Sequence, residues 1–274
     1  MRTESRCIRG AGKRLGLVPT MGALHEGHLS LVRAARASCH SVAASIFVNP
    51  TQFGPNEDFA KYPRSFERDR ELLEREGVNL LFAPSVQEMY PAGAVTWVTV
   101  EGLSDRLDGR SRPGHFRGVT TVVSKLFHII EPDAAFFGQK DAAQVAVLRR
   151  MVSDLRIAVE IVVCPIVREP DGLAMSSRNA YLDPQQRGEA LVLHRSLMRV
   201  KQLADAGERG AAKLAAAGRE QFRADGSVRL DYFEIVDPDT LEPVENVSRG
   251  VLVAVAAFVG TTRLIDNILL PGSV

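Results

Sequence analysis

Cysteine and tryptophan are scarce in this chain, at three and one among 274 residues. Cys7, Cys39 and Cys164 are too few and too scattered for a disulfide framework or a zinc knuckle. Each sits in or near an apolar segment, which predicts a buried, unreactive thiol. No apolar run reaches the length of a membrane span, and residues 251–259 are only strand-sized. The positive N-terminus is not followed by an apolar stretch of the secretory type, so the expected location is the cytoplasm. Nor is there an excess of either charge. The 34 basic and 33 acidic side chains leave a net charge of +1, which argues against nucleic acid as a partner. The early cluster Arg2, Arg6, Arg9, Lys13 and Arg14 reads as a solvated face or terminal tail.

What is present is the composition of a globular protein, 45% apolar and 24% charged, long enough for two domains. β-rich apolar runs at 15–18, 41–48, 79–83, 96–100, 134–137 and 159–163 alternate with helical patterns at 28–37, 65–76, 118–130 and 141–155. That alternation predicts an α/β fold with a Rossmann-like, doubly wound parallel sheet, whose ligands bind beyond the carboxyl ends of the strands. After a polar stretch at 165–183 the pattern changes. An alanine-rich helical region, 184 to about 223, precedes strand-like runs at 229–236, 250–259 and 262–270. This predicts a smaller α+β domain over 168–274, following a first domain over 1–167.

Three constellations carry chemistry. In Pro19-Thr20-Met21-Gly22-Ala23-Leu24-His25-Glu26-Gly27-His28 an apolar strand, a glycine turn and a helix start follow one another. Free N–H groups and the helix dipole there suit a phosphate, and His25 and His28 share one face of the first turn. They could stabilise developing phosphate charge as imidazolium or imidazole. A capping pair is the bland alternative. Zinc is another, with His40, His115 or His128 as third ligand, although the protease pattern needs i,i+4 spacing. The second constellation, Met175-Ser176-Ser177-Arg178, offers two hydroxyls and a bidentate guanidinium on a polar loop near the boundary. The third, Gly138-Gln139-Lys140-Asp141 with Gln144, ends a strand and opens a helix, where Lys140 can neutralise phosphate and Asp141 can cap. Asn49 and Gln52, beside Phe47 and Phe53, offer amides next to an apolar surface, which suits a small hydroxy acid. Tyr62-Pro63-Arg64 and residues 112–118 could add anion contacts.

Taken together these residues resemble the pantothenate synthetase (pantoate–β-alanine ligase) family, over segments 18–32, 46–64, 82–91, 113–125, 136–144, 167–182 and 260–268. That family lies in the HxGH-type nucleotidyltransferase superfamily, with His25-Glu26-Gly27-His28 as the first signature and Met175-Ser176-Ser177-Arg178 as the KMSKS-like second. The resemblance implies ATP-dependent condensation of pantoate with β-alanine through a pantoyl adenylate, assisted by Mg²⁺ carried on the ATP phosphates rather than by a protein metal site. It implies catalytic roles for His28, His25, Lys140 and Arg178, with His28 as proton donor. ATP contacts would come from Met21, Gly22, His25, Gly27, His28, Gly138, Gln139, Lys140, Asp141, Val167, Met175, Ser176, Ser177 and Arg178. Substrate contacts fall to Gln52, Gln144 and Asn49, and a homodimer formed through the first domain is implied. Two departures stand out. The segment before the first strand is short or replaced, and the usual Glu-Lys-Asp with two following glutamines is here Gln139-Lys140-Asp141 with Ala143-Gln144. Gln144 is the glutamine expected to contact pantoate, so activity is expected to survive. An AMP transfer to a phosphorylated cofactor and a non-catalytic nucleotide-binding regulator are the competing readings.

Overall fold

A computed structural model describes residues 1–55, 57–225 and 228–272. The first half is built from α1 (Arg2–Gly10), β1 (Leu15–Thr20), α2 (Glu26–Ser38), β2 (Ser41–Ile46), α3 (Phe66–Arg75), β3 (Leu80–Phe82), α4 (Val86–Met89), α5 (Asp108–Ser111), α6 (His115–Ile130), β4 (Ala134–Gly138), α7 (Ala142–Asp154) and β5 (Glu160–Cys164). The five strands pair in parallel in the order β3-β2-β1-β4-β5. They read as unbroken apolar runs because both faces are covered. Leu15, Leu17, Ala135 and Phe137 pack with α6 and α7 on one side, while Val18, Ala134 and Phe136 pack with α2 and α3 on the other. Chain direction across the sheet reverses between β1 and β4, so a crevice opens at their carboxyl ends. The His25/His28 turn and the Lys140 turn both leave the sheet there.

The remainder comprises α8 (Pro184–Asp205), α9 (Ala211–Asp225), β6 (Arg229–Val236), β7 (Val251–Val259) and β8 (Thr262–Leu270). The strands form a three-stranded antiparallel sheet in the order β6-β7-β8. Val251, Val253 and Val255 of β7 face the α8–α9 layer, whereas Leu252, Ala254 and Ala256 join the α6–α7 core of the first half. This period-two division explains why β7 is apolar throughout. It also gives the two sheets a shared apolar contact.

Four sequence expectations need correction. Residues 96–100 do not form a strand. The Val98 N–H is instead bound by Thr121 Oγ1 at 3.0 Å and its carbonyl by Thr120 Oγ1 at 2.6 Å, so its backbone polarity is satisfied by helix side chains. For the basic N-terminal cluster the tail alternative falls and the solvated face holds, since Arg2, Arg6 and Arg9 are exposed. The cluster belongs largely to α1, where Ser5 is buried and Arg6 and Arg9 pair with Glu131 (2.9 Å) and Asp133 (3.3 Å). The alanine-rich region is two helices, broken around Gly207 at φ +101°. Cys164 is buried and Cys39 partly so, but Cys7 is exposed on α1.

Candidate active site

The turn after β1 is held in an unusual shape. Gly22 (φ +83°) and Ala23 (φ +51°) are both left-handed, a conformation that costs about 1 kcal/mol for a residue with a Cβ. Asp69 of α3, only 1% exposed, compensates by accepting the Ala23 and Leu24 N–H groups, each at 2.8 Å. A Cβ on Gly22 would lie 3.0 Å from Asp69 Oδ2, so glycine is required twice over.

His25 is the N-cap of α2, and its Nδ1 accepts the Gly27 N–H at 3.2 Å. His28 Nδ1 in turn accepts the His25 N–H at 3.3 Å, and the ring centroids are 4.1 Å apart. Capping therefore uses Nδ1 of each ring, and each imidazole keeps an Nε2–H to donate. Burial, and then Lys140, lowers His25 to a pKa of about 4, while burial, and then His25, lowers His28 to about 3. Both are neutral at pH 7, which decides between imidazole and imidazolium in favour of imidazole. Gly27 makes room for the His25 ring, since a Cβ there would lie 2.9 Å from His25 Cε1.

The loop bearing Arg178 springs from a short hairpin, with Arg168 bridged to Ala174 and the Met175 N–H donating to the Val167 carbonyl at 3.0 Å. Ser176 caps the turn Ser177–Tyr181 through the Arg178 N–H, and Ser177 Oγ lies 3.3 Å from the Tyr62 hydroxyl. Arg178 grips Asp58 with two hydrogen bonds, at 3.0 and 2.9 Å. Lys140 lies in the turn Gln139–Asp141, with its Nζ 3.7 Å from Asp141. Asp141 occupies the N-cap position of α7 without making a side-chain cap bond. The Gln139 amide donates to Asn267 of β8 at 3.0 Å rather than lining the cleft. Gly138, at φ −81°, is under no conformational demand.

Two cavities meet here. The larger, about 1030 Å³, is lined by Lys140, Asp141, Ser176 and Arg178 together with residues of β8. The smaller, about 180 Å³, has an apolar wall of Phe47, Val119, Val122, Val123 and Leu126, and a polar wall of His28, Gln52 and Gln144 with Met21 beside them. Arg112, His115, Asp141, Gln144 and Arg178 line both. Gln52 donates from Nε2 to Met21 Sδ at 3.2 Å. Its Oε1 accepts from Asn49, whose second amide hydrogen goes to the Gly118 carbonyl at 3.1 Å. Asn49 is 1% exposed and also accepts from Tyr90 and Thr51, so its bonds orient Gln52 and leave no amide hydrogen for a ligand.

Sequence reasoning missed several members of this site. Asp69 and Ser45 gave no motif signal, and the Ser45 hydroxyl is buried at the smaller cavity without a hydrogen-bond partner. Gly118 lets α6 approach so closely that a Cβ would lie 2.4 Å from the Thr51 carbonyl oxygen and 2.6 Å from the Gln52 nitrogen. Arg112, a suggested anion contact, is engaged bidentately by Glu57 at 2.8 and 2.6 Å. It also meets His115 Nε2 at 3.0 Å, leaving the His115 Nδ1–H to bind the Gln52 carbonyl at 2.8 Å. Arg64 folds back onto the Tyr62 and Phe59 carbonyls. His40 instead accepts the Arg14 N–H. Among the described residues no group of three His, Cys, Asp or Glu is arranged to hold a metal ion, and no helix is long and apolar enough to cross a membrane.

The sequence profile of pantoate–β-alanine ligases matches residues 1–269. The chain is 63% identical to the pantothenate synthetase of Koribacter versatilis over 270 residues, covering 98% of this chain and 93% of that one. Against the Thermotoga neapolitana pantothenate synthetase the identity is 60%, covering 98% and 96%. The crystal structure of the Thermus thermophilus pantothenate synthetase superposes with a TM-score of 0.91 at 50% identity, covering 96% of each chain. The Francisella tularensis pantoate–β-alanine ligase, complexed with beta-gamma ATP and β-alanine, gives 0.78 at 34% identity, covering 97% and 95%. Fold, motif order and whole-length similarity agree, and the chain belongs to the pantoate–β-alanine ligase family.

Proposed function

We propose that the paired cavities perform the family's reaction in two steps, with pantoate in the smaller and ATP in the larger. The enzyme condenses pantoate with β-alanine, cleaving ATP to AMP and pyrophosphate. The observation that carries this reading is the shared wall, where Gln144 and Arg178 border both cavities. A carboxylate held by Gln52 and Gln144 is thereby set against a phosphate at the Lys140 and Arg178 side. In the first step a pantoate carboxylate oxygen bonds to the α-phosphorus and the bond to pyrophosphate breaks. In the second, the β-alanine amine attacks the acyl carbon, the C–O bond to AMP breaks, and the amine loses a proton.

Attack of one anion on another requires charge to be neutralised in place. Lys140 and Arg178 supply cations, and the Nε2–H groups of His25 and His28 supply donors that are already oriented. The proton-donor role implied for His28 therefore belongs to its Nε2–H. Met21 and Val167 flank the nucleotide, with Gly22, Gly27 and Gly138 admitting it and Ser176 and Ser177 binding phosphate oxygens. Asn49 contributes by orienting Gln52, and Gln139 through Asn267. Mg²⁺ fits as a companion of the triphosphate, with Asp141 on the wall shared by both cavities as the carboxylate at hand, and would neutralise phosphate charge when bound.

We place the domain boundary at 167/168, where the hairpin carrying the Ser-Ser-Arg loop begins. We also assign a homodimer through the first domain, supported by the exposed segment 91–100 with Val95 (83% exposed) and Trp97 (42%). ATP as substrate supports a cytoplasmic location.

Pantoate-dependent exchange of labelled pyrophosphate into ATP, without β-alanine, tests the adenylate step. Exchange is expected with Mg²⁺, and its absence at every Mg²⁺ concentration would overturn the mechanism. Lys140→Ala should slow exchange by about 100- to 1,000-fold, the scale of one lost transition-state donor.

A further inference from the structure

β8 runs past the Lys140 turn, and two consecutive residues of this strand, Asp266 and Asn267, are 3% and 2% exposed. The Asn267 amide is fully engaged. Its Nδ2 donates to the Gln139 carbonyl at 2.9 Å and to the Lys140 carbonyl at 3.0 Å, and its Oδ1 accepts the Gln139 side-chain amide at 3.0 Å. The two peptide planes on either side of the Lys140 Cα are thus tied to one side chain. Fixing those planes fixes the direction in which the lysine leaves the backbone.

Asp266 makes the matching connection to the other loop. It accepts two hydrogen bonds from Arg168, at 2.7 and 2.9 Å, and accepts the Asn267 N–H at 2.8 Å. Arg168 also donates to the Gly172 carbonyl at 3.0 Å, closing the hairpin that precedes Ser176–Arg178. One dipeptide on the second sheet therefore touches the bases of two loops that are far apart in sequence, one bearing Lys140 and the other Arg178.

We infer that Asn267 is a positioning residue for Lys140, and that the Asp266–Asn267 pair sets the lysine and the Ser-Ser-Arg loop at a fixed distance across the cleft. This rests on the role given above to Lys140 in adenylation. The physical reason is the steep dependence of transfer rates on alignment, where about 1 Å of misplacement costs about 100-fold. Pantoate binding should not depend on Asn267, because Gln52 is held by Asn49 and the Gly118 contact, and Gln144 belongs to α7.

A double-mutant cycle in pyrophosphate exchange tests the inference. Asn267→Ala should lower kcat by about 10- to 100-fold, with pantoate affinity by calorimetry unchanged. In a Lys140→Ala background the same substitution should cost nothing further, because the group it positions is gone. Losses that multiply in full would show that Asn267 acts elsewhere and overturn the positioning role alone, as would wild-type kcat in Asn267→Ala. Wild-type exchange in Lys140→Ala would instead overturn the role of the lysine, and the positioning role with it. If Asn267→Ala does not fold, Gln139→Met removes a single bond to the same amide, and its additivity with Lys140→Ala decides the matter in the same way.

Discussion

His28 Nδ1 accepts the backbone N–H of His25 at 3.3 Å, so the second histidine of the signature helps to cap the helix that the first one begins. This contact, with the Gly27 N–H on His25 Nδ1, fixes the tautomer of both rings. Nitrogen-15 NMR at pH 7 should therefore show two neutral imidazoles protonated at Nε2. An Nδ1–H signal from either ring would contradict the capping geometry.

The same burial makes stability pH-dependent. Folded-state pKa values of about 4 for His25, about 3 for His28 and about 4 for His115 lie below the ordinary value near 6.5. Burial is the largest cause in each. The unfolded chain binds more protons over that window, so stability rises with pH and is lost as pH falls from about 6.5 toward 4 for His25 and His115 and toward 3 for His28. Each histidine contributes a slope of up to about 1.4 kcal/mol per pH unit. Urea unfolding at pH 5 and pH 7 measures the difference, and His28→Gln should make it shallower.

Asp69 bears on the turn after β1 from a distance of 45 residues along the chain. Asp69→Ala leaves two N–H groups without an acceptor and should destabilise by about 2–4 kcal/mol. Adenylation should fall further than folded fraction alone explains, because the left-handed pair Gly22-Ala23 loses its support. Urea midpoints together with pyrophosphate exchange separate the two effects.

Gly118→Ala sets two terms against each other. Helix propensity favours alanine by up to about 1 kcal/mol. Against that, the new Cβ would lie 2.4 Å from the Thr51 carbonyl oxygen, and overpacking costs about 1–3 kcal/mol. The clash wins, because its neighbours are backbone atoms that cannot rotate away. The expected result is lower stability and a raised KM for pantoate, since Gln52 moves with the displaced segment. A lowered KM would refute the coupling.

Arg178 is held by Asp58 through two hydrogen bonds. In the proposed phosphate-binding role Asp58 competes with the substrate anion for the guanidinium. Asp58→Asn weakens the competing pair by about 0.5–1 kcal/mol, so KM for ATP should drop about two- to five-fold. A rise in KM would mean that Asp58 orients the arginine rather than competing for it.

How much of this was readable in advance depended on range. The parallel sheet was legible because continuous apolar strands alternate with amphipathic helices, and doubly covered strands have no other pattern available. The three motif groups proposed to meet phosphate stood out because each is compact in sequence, and the structure brings His28, Lys140 and Arg178 to the two adjoining cavities. Residues 96–100 misled because a β-branched run resembles a strand, whereas the absence of a neighbouring strand is invisible locally. The choice between tail and solvated face for the α1 arginines was not legible for a related reason, since their partners Glu131 and Asp133 lie over a hundred residues away.

By itself, then, the sequence determined the fold class, the order of the motifs and the donors and cations that His25, His28, Lys140 and Arg178 offer. Those properties follow from side-chain types and local periodicity. Only the tertiary structure decided that both histidines are neutral, that Asn49 orients Gln52 instead of offering a free amide, and that Asn267 reaches Lys140. Each of these depends on burial or on a hydrogen bond formed with another segment. A side chain's charge and partners are set by what folding brings beside it, and spacing along the chain carries no record of that.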